Sequence, residues 1–381
     1  MDFELTEDQE RRRRAVVEFA RRELDGDVVG RDARQEFPRD AWRRCAAFGV
    51  QGLPIPEAYG GAGADPLTVA LTMESLGYGC EDNGLLFALN AQMWSCEIPI
   101  VRFGAEGQKR RYLPRLCDGS LIAGHAMTEP GSGSDAFSLT TSAVRDGDDF
   151  VIDGSKAFVT NAPVADVLVV FASTAPGSGF AGVTAFLIDR AAAGLTVGPP
   201  VAKMGLRTAL MAEVVLHDCR VPADQVLGRP GGGLAVFNCA MEWERSLILA
   251  CSVGTMQRQL ERSVRYAKER RQFGQPIGSF QAISDKLVDM KLRLETSRLL
   301  LYHLAWLMSS GRPTGIESAL AKLHLSESFL ATSLDAVQLH GGLGYLTDTG
   351  IERDVRDAIA GRIYSGTSEI QRSIIARHMG L

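Results

Sequence analysis

The spacing of apolar residues along this chain changes twice, from helical to alternating and back to helical. Apolar residues recurring every three or four positions share a face only on a helix, and alternating ones share a face only on a strand. The sequence therefore demands a helical layer, a sheet and a second helical layer in that order. Thr6-Glu7-Asp8-Gln9 has capping-box spacing, and Val16, Phe19, Ala20 and Leu24 follow at helical intervals beside a solvated run, Arg11 to Arg14. Helical patterning continues to about Leu121, broken by the Gly/Pro-rich stretch 53–63, so residues 1–120 are predicted to be an α domain. Beyond Thr128, Phe150-Val151-Ile152 and Ala157-Phe158-Val159 flank Asp153-Gly154, a type I′ hairpin signal, and short β-like runs follow at 167–171, 183–188 and 214–216. Residues 121–229 are predicted to be an antiparallel β domain. After Pro230-Gly231-Gly232-Gly233, helical stretches at 234–270, 281–310 and 314–340 imply a four-helix bundle over residues 230–381. The expected class is a multidomain α+β fold.

Composition narrows the function. Lys and Arg number 41 against 46 Asp and Glu, a net charge of −5, which excludes a strongly basic nucleic-acid binder. No apolar run approaches the ~18 residues of a membrane span, and Met1-Asp2-Phe3-Glu4-Leu5 is too acidic for a leader, so a cytoplasmic protein is expected. The seven cysteines are scattered without a Cys-x-x-Cys, and the six histidines show no H-E-x-x-H. Reduced core thiols and no metal are expected. Gly177-Ser178-Gly179-Phe180-Ala181-Gly182 has the letters of a dinucleotide fingerprint, but it lies between β runs and opens no helix, so it is rejected.

Three segments could carry chemistry. On a helix, Glu244 shares its face with Ala240, Met241, Leu247, Ile248 and Cys251, whereas Glu242 shares that of Asn238 and Arg245. A carboxylate on an apolar face suits a general base in a dry pocket, or alternatively a core or interface carboxylate paired with an arginine. Thr128-Glu129-Pro130-Gly131-Ser132-Gly133-Ser134-Asp135 offers hydroxyls and free backbone N–H groups for a phosphate or heterocycle edge, or else a tight inter-domain turn. Gln338-Leu339-His340-Gly341-Gly342-Leu343-Gly344 permits close backbone approach to a ligand, or simply ends a helix.

Taken in order, these segments resemble the acyl-CoA dehydrogenase family along nearly the whole chain. The resemblance also rests on Tyr59-Gly60-Gly61, Phe158-Val159-Thr160-Asn161, Lys203-Met204-Gly205-Leu206-Arg207, Glu269-Arg270-Arg271-Gln272-Phe273-Gly274 and Ile363-Tyr364-Ser365-Gly366-Thr367-Ser368-Glu369-Ile370-Gln371. It implies FAD held between domains and subunits, usually in a homotetramer. Met127, Thr128, Gly133, Ser134, Phe158 and Thr160 would contact the flavin, with Thr367 and Glu369 near the adenine half. Arg270, Gln272, Phe273, Gln338, Gly341 and Gly342 would reach the FAD of a neighbouring subunit. Arg245, Tyr364 and Ser365 would line the substrate site.

Ser365 departs from the pattern, because many members have a glutamate base immediately before the Gly-Thr of this loop. Glu244-Arg245 stands where isovaleryl-CoA dehydrogenase-like and prolyl-carrier-protein dehydrogenase-like members place theirs, so the resemblance assigns Glu244 as base. The implied reaction removes an α-proton from a short acyl thioester while hydride leaves the β-carbon for flavin N5. The tail and Trp243-Glu244-Arg245 look most like the carrier-protein-linked, biosynthetic branch. That branch often has a Cys-Pro step where this chain reads Thr208-Ala209-Leu210-Met211-Ala212, a departure that counts against a prolyl substrate specifically and leaves short acyl groups on a carrier protein or on CoA open. The electron acceptor would be an electron-transfer flavoprotein or oxygen. The alternatives are a catabolic short- or branched-chain acyl-CoA dehydrogenase, a flavin monooxygenase, and a non-catalytic flavoprotein.

Overall fold

The computed structural model describes residues 4–24 and 26–381; Met1, Asp2 and Phe3 of the acidic start lie outside the described residues. The first helix, α1 (Glu7–Phe19), begins at the expected capping box: Thr6 Oγ1 accepts from the Gln9 amide at 3.2 Å and Gln9 Oε1 accepts from the Thr6 amide at 2.9 Å. It runs into a π-helical turn, Ala20–Leu24, and is followed by α2 (Val28–Arg34), α3 (Arg39–Ala47), α4 (Pro66–Gly79) and α5 (Asn83–Gln92). A second π-helical turn, Met93–Glu97, joins α5 to α6 (Ile98–Phe103), and α7 (Glu106–Cys117) ends the helical layer. Asp65 and Asp82 start α4 and α5 by accepting amide hydrogen bonds from Thr68 and Leu85 three residues on.

The sheet contains β1 (Ala123–Ala126), β2 (Ser142–Asp146), β3 (Asp149–Thr160), β4 (Val167–Ser173), β5 (Val183–Asp189), β6 (Leu195–Val197), β7 (Met211–Pro222) and β8 (Val226–Leu227). Its order is β6-β7-β3-β2-β4-β5-β8, with β1 alongside β4. Most pairings are antiparallel as expected, but β4 has parallel neighbours: β1, with Ala123 opposite Val167 and Ala126 opposite Val170, and β2, with Ser142 opposite Ser173. Strands β4 and β5 are buried on both faces. Val167, Val169 and Phe171 join the helical core, while Leu168, Val170 and Ala172 join a second core beneath the sheet.

The expected hairpin at Asp153-Gly154 does not form. Residues 149–160 are one strand, and the reversal lies at Gly147, which adopts φ 61° between β2 and β3. Gly154 instead sits at a bulge with φ 150°, where a β-carbon would lie 2.5 Å from Thr141 Oγ1. The glycine was there for close approach, not for a turn.

The last layer is α8 (Gly233–Leu247), α9 (Ala250–Glu269), a short ladder of β9 (Arg271–Gln272) with β10 (Gln275–Pro276), then α10 (Gln281–Ser309), α11 (Gly315–His340), α12 (Ile351–Ala360) and α13 (Ser368–His378). Helices α8 to α11 pack on one another as the expected bundle, and α4 packs against α9 and α10. The single stretch expected over 234–270 is broken at Ile248 and Leu249, so α8 turns towards the sheet while α9 lies along α4. Among the described residues no helix is long and apolar enough to cross a membrane. The cysteines are free, and all but the half-buried Cys239 are buried.

Helices α4 and α9 cross so closely that a β-carbon at Gly254 would lie 1.9 Å from the Glu74 carbonyl oxygen, and one at Gly77 would lie 1.8 Å from that of Cys251. Gly254→Ala is therefore expected to lower unfolding stability by about 3 kcal/mol in chemical denaturation, the upper end of overpacking costs. An unchanged midpoint would contradict the crossing.

Candidate active site

The site is built where the break after α8 meets the turn before α13. Glu244 lies in the last turn of α8, only 8% exposed. Its Oε1 accepts from Ser95 Oγ at 2.6 Å, and its Oε2 accepts from Ser365 Oγ at 3.2 Å. No arginine pairs with it among the described residues, so the ion-paired core carboxylate weighed from sequence is not what forms. Burial raises its pKa above the ordinary carboxylate range, and the two hydroxyls and the Arg245 charge only partly oppose that rise. Glu242, by contrast, is exposed and accepts from Thr314 Oγ1 at 3.0 Å.

Ser365 and Gly366 are both left-handed, with φ 55° and 86°. This costly turn is held by its carbonyls. That of Ser365 accepts from Arg245 Nε at 3.4 Å and Gln371 Nε2 at 3.2 Å, and that of Gly366 from Lys322 Nζ at 2.7 Å. Burial lowers the Lys322 pKa to about 8. Tyr364 packs at a tilt against Phe87 with centroids 4.7 Å apart, and Trp94 stacks on Trp243 at 5.8 Å, so these aromatic pairs include the sequence neighbours of Ser365, Ser95 and Glu244. The structure thus gathers Glu244, Arg245, Tyr364 and Ser365 into one cluster. Thr367 caps α13 through the Ile370 amide, and Glu369 is exposed in its first turn.

A second cluster lies on the sheet. Met127 is buried and its carbonyl accepts from Lys156 Nζ at 3.2 Å, while the Thr128 carbonyl accepts from the Ala157 amide at 2.8 Å. Glu129 anchors the loop from below: its carboxylate accepts from Lys156 Nζ at 2.7 Å, the Thr140 amide at 2.7 Å and the Thr141 amide at 3.1 Å. Burial opposes the charge, but these donors outweigh it and hold the carboxyl at about 2. A bulge between Lys156 and Val159 turns Lys156 inward and Phe158 outward, where Phe158 adopts φ 56° and is 67% exposed. Gly133 and Ser134 are exposed, and a β-carbon on Gly133 would meet nothing within 4 Å. Thr160 closes β3, half-buried. The clusters meet through Phe137, which packs edge-on against Phe237 of α8 at 5.3 Å, two helical turns before Glu244.

The remaining expected residues are not joined to either cluster by hydrogen bonds or ring contacts among the described residues. Arg270 and Gln272 are exposed at the β9–β10 ladder, and Phe273 at its tip is 93% exposed. Gln338, Gly341 and Gly342 are exposed at the end of α11, where Gly341 adopts φ 59°. Tyr266 stacking on His340 at 4.5 Å brings these two segments together. Sequence reading missed Ser95, Lys322 and the Glu129–Lys156 pair. Only Pro99, four residues after Ser95, marked a disturbed helix there.

Three family models match in series: the acyl-CoA dehydrogenase N-terminal domain over residues 6–120, the middle domain over 124–219 and the C-terminal domain over 231–380. The chain belongs to the acyl-CoA dehydrogenase family. A relative, the L-prolyl-[peptidyl-carrier protein] dehydrogenase of Pseudomonas fluorescens, is 42% identical over 100% of both chains. Among solved structures, the prolyl acyl carrier protein oxidase AnaB is 49% identical with a TM-score of 0.98, covering 99% of this chain and 100% of its own. PigA, solved with FAD and proline, is 39% identical with a TM-score of 0.98 over 100% of both chains.

The family's cofactor is FAD, and the chain's residues fit it. An exposed aromatic ring on a bulge, beside hydroxyls and a glycine with open space above it, suits a planar heterocycle with polar edges. Among the described residues, the Gly133 and Ser134 amides have no acceptor within the chain. Lys156→Met should strand the Glu129 charge and cost about 3–5 kcal/mol, read by thermal or chemical denaturation together with lost FAD retention. The depressed Glu129 pKa also sets a pH window. Its stabilisation is present above the unfolded carboxyl value of about 4.3 and is lost as pH falls towards about 2. Lys156→Met protein with undiminished stability and acid tolerance would contradict the anchor.

Proposed function

We propose that this protein is an FAD-dependent dehydrogenase of a short acyl thioester presented on a carrier protein, with prolyl the foremost acyl group. The observation that carries the reading is a buried carboxylate, Glu244, capped by two hydroxyls, next to a loop position where serine stands in place of a base. A serine hydroxyl cannot take an α-proton unaided, whereas a carboxylate raised by burial is matched to that task near neutral pH. Glu244 accepts the α-proton, and Arg245 and Lys322 hold the turn that carries Ser365. Bound FAD would supply the hydride acceptor: the hydride carries away both electrons, and the electron pair left behind by the α-proton becomes the new carbon–carbon double bond.

FAD would be held by Met127, Thr128, Gly133, Ser134, Phe158 and Thr160, with Thr367 and Glu369 towards its adenine half. The exposed Arg270, Gln272, Phe273, Gln338, Gly341 and Gly342 suit contact with the FAD of another subunit in a tetramer. The carrier-protein substrate is supported by the names of the relatives, and the prolyl group by the same names and by PigA solved with proline. The missing Cys-Pro step at 208–212 does not outweigh them. Oxygen is the favoured electron acceptor, since AnaB is called an oxidase, with an electron-transferring flavoprotein as the other arm. A cytoplasmic enzyme accords with such a substrate.

Glu244→Gln is expected to slow substrate-driven flavin reduction by about 10³-fold or more while FAD stays bound. Ser365→Ala should cost less than about tenfold, because its bond to the carboxylate is the longer one. Flavin reduction measured against pH should fall on the acid side with a midpoint above the ordinary carboxylate range, since only ionised Glu244 can accept a proton. Full activity in Glu244→Gln, or an acid limb near pH 4, would sink the assignment.

A further inference from the structure

Ser95 has no reason to be polar from its own surroundings. It is 1% exposed, on a segment packed with Trp94 and Cys96, and among the described residues its hydroxyl donates only to Glu244 Oε1, at 2.6 Å. It points there because the helix widens. The Ile98 amide donates to the Met93 carbonyl five residues back, the bond of a π-turn. Pro99 has no N–H to give the Ser95 carbonyl four residues earlier, so a regular helix could not continue through this point. The turn is stitched by side chains of the same five-residue spacing: Gln92 Nε2 donates to Glu97 Oε1 at 2.7 Å. Gln92 is fixed in turn by the Ala123 amide of β1, which donates to its Oε1 at 2.8 Å. Burial pushes the Glu97 carboxyl up to about 8, so at neutral pH it serves this lattice as an uncharged group.

The two oxygens of Glu244 are therefore held unequally. Oε1 has the short bond from a fully buried serine on a braced turn. Oε2 has the 3.2 Å bond from Ser365, which is half-buried on a left-handed turn. We propose that Ser95 is a positioning residue of the reaction: it fixes Oε1 of Glu244, so that Oε2 is the oxygen presented to the substrate α-proton. The proposal rests on the reading of Glu244 as the base. It also gives the π-turn a purpose, since such turns mark places where a helix is deformed to aim one side chain. A hydroxyl donating to a carboxylate favours its charged form, so Ser95 supplies ionisation as well as orientation.

The test is the pH dependence of anaerobic flavin reduction in wild type, Ser95→Ala and Glu244→Gln, each with bound FAD and melting temperature checked first. A thioester that bleaches the wild type is the substrate. Ser95→Ala is expected to retain FAD and KM within about threefold, to lose about 10- to 100-fold in kcat, and to move the acid limb up by about one pH unit. An inactive Glu244→Gln with a Ser95→Ala limb at the wild-type position overturns the role of Ser95, whether or not Ser95→Ala has lost rate. An active Glu244→Gln overturns instead the base on which the proposal stands.

Discussion

A carboxylate placed on the buried face of a helix has to be compensated, and most of what is unusual in this molecule surrounds that requirement. Left unpartnered, a buried charge costs several kcal/mol. Among the described residues Glu244 forms no ion pair with an arginine side chain; it accepts from two hydroxyls distant in sequence, Ser95 and Ser365. Two charge-assisted hydrogen bonds recover about 1.5–3 kcal/mol each, which offsets part of the desolvation and leaves the group more basic than an exposed glutamate. That incomplete compensation is what a proton acceptor needs. It also imposes geometry on three elements at once: the π-turn at Met93–Glu97, the break between α8 and α9, and the left-handed pair before α13.

The sheet answers a different demand. It has to be rigid, and β4 and β5 make it so by burying both of their faces between two cores. The loop at 128–135 cannot be rigid through its own sequence, which is rich in glycine and serine. Glu129 and Lys156 fix it from beneath, so its exposed amides and the Phe158 ring keep their places.

The layer order was legible because it depends only on periodicity, and the capping box at Thr6 and the apolar face of Glu244 were legible for the same local reason. Asp153-Gly154 misled because a dipeptide signal says that the backbone is unusual without saying whether it turns or bulges; what decides is Thr141, packed against Gly154 from another segment. The parallel pairing of β1 with β4 and the break at Ile248 and Leu249 likewise answer to neighbours distant in sequence. Ser95 was invisible because its meaning comes from a partner 149 residues away, reached through a helix that is not regular. Recognising the family supplied what local physics lacks, namely that Glu244 and Ser365 should be considered together.

In the proposed reaction a carrier-bound short acyl thioester gives up a proton and a hydride here. It is tested most directly by anaerobic bleaching of the bound flavin with a panel of short acyl groups, prolyl included, each presented on CoA and on a phosphopantetheinylated carrier protein. Rapid bleaching by the carrier-bound forms is expected. Bleaching by CoA esters alone, or by no thioester at all, would contradict it.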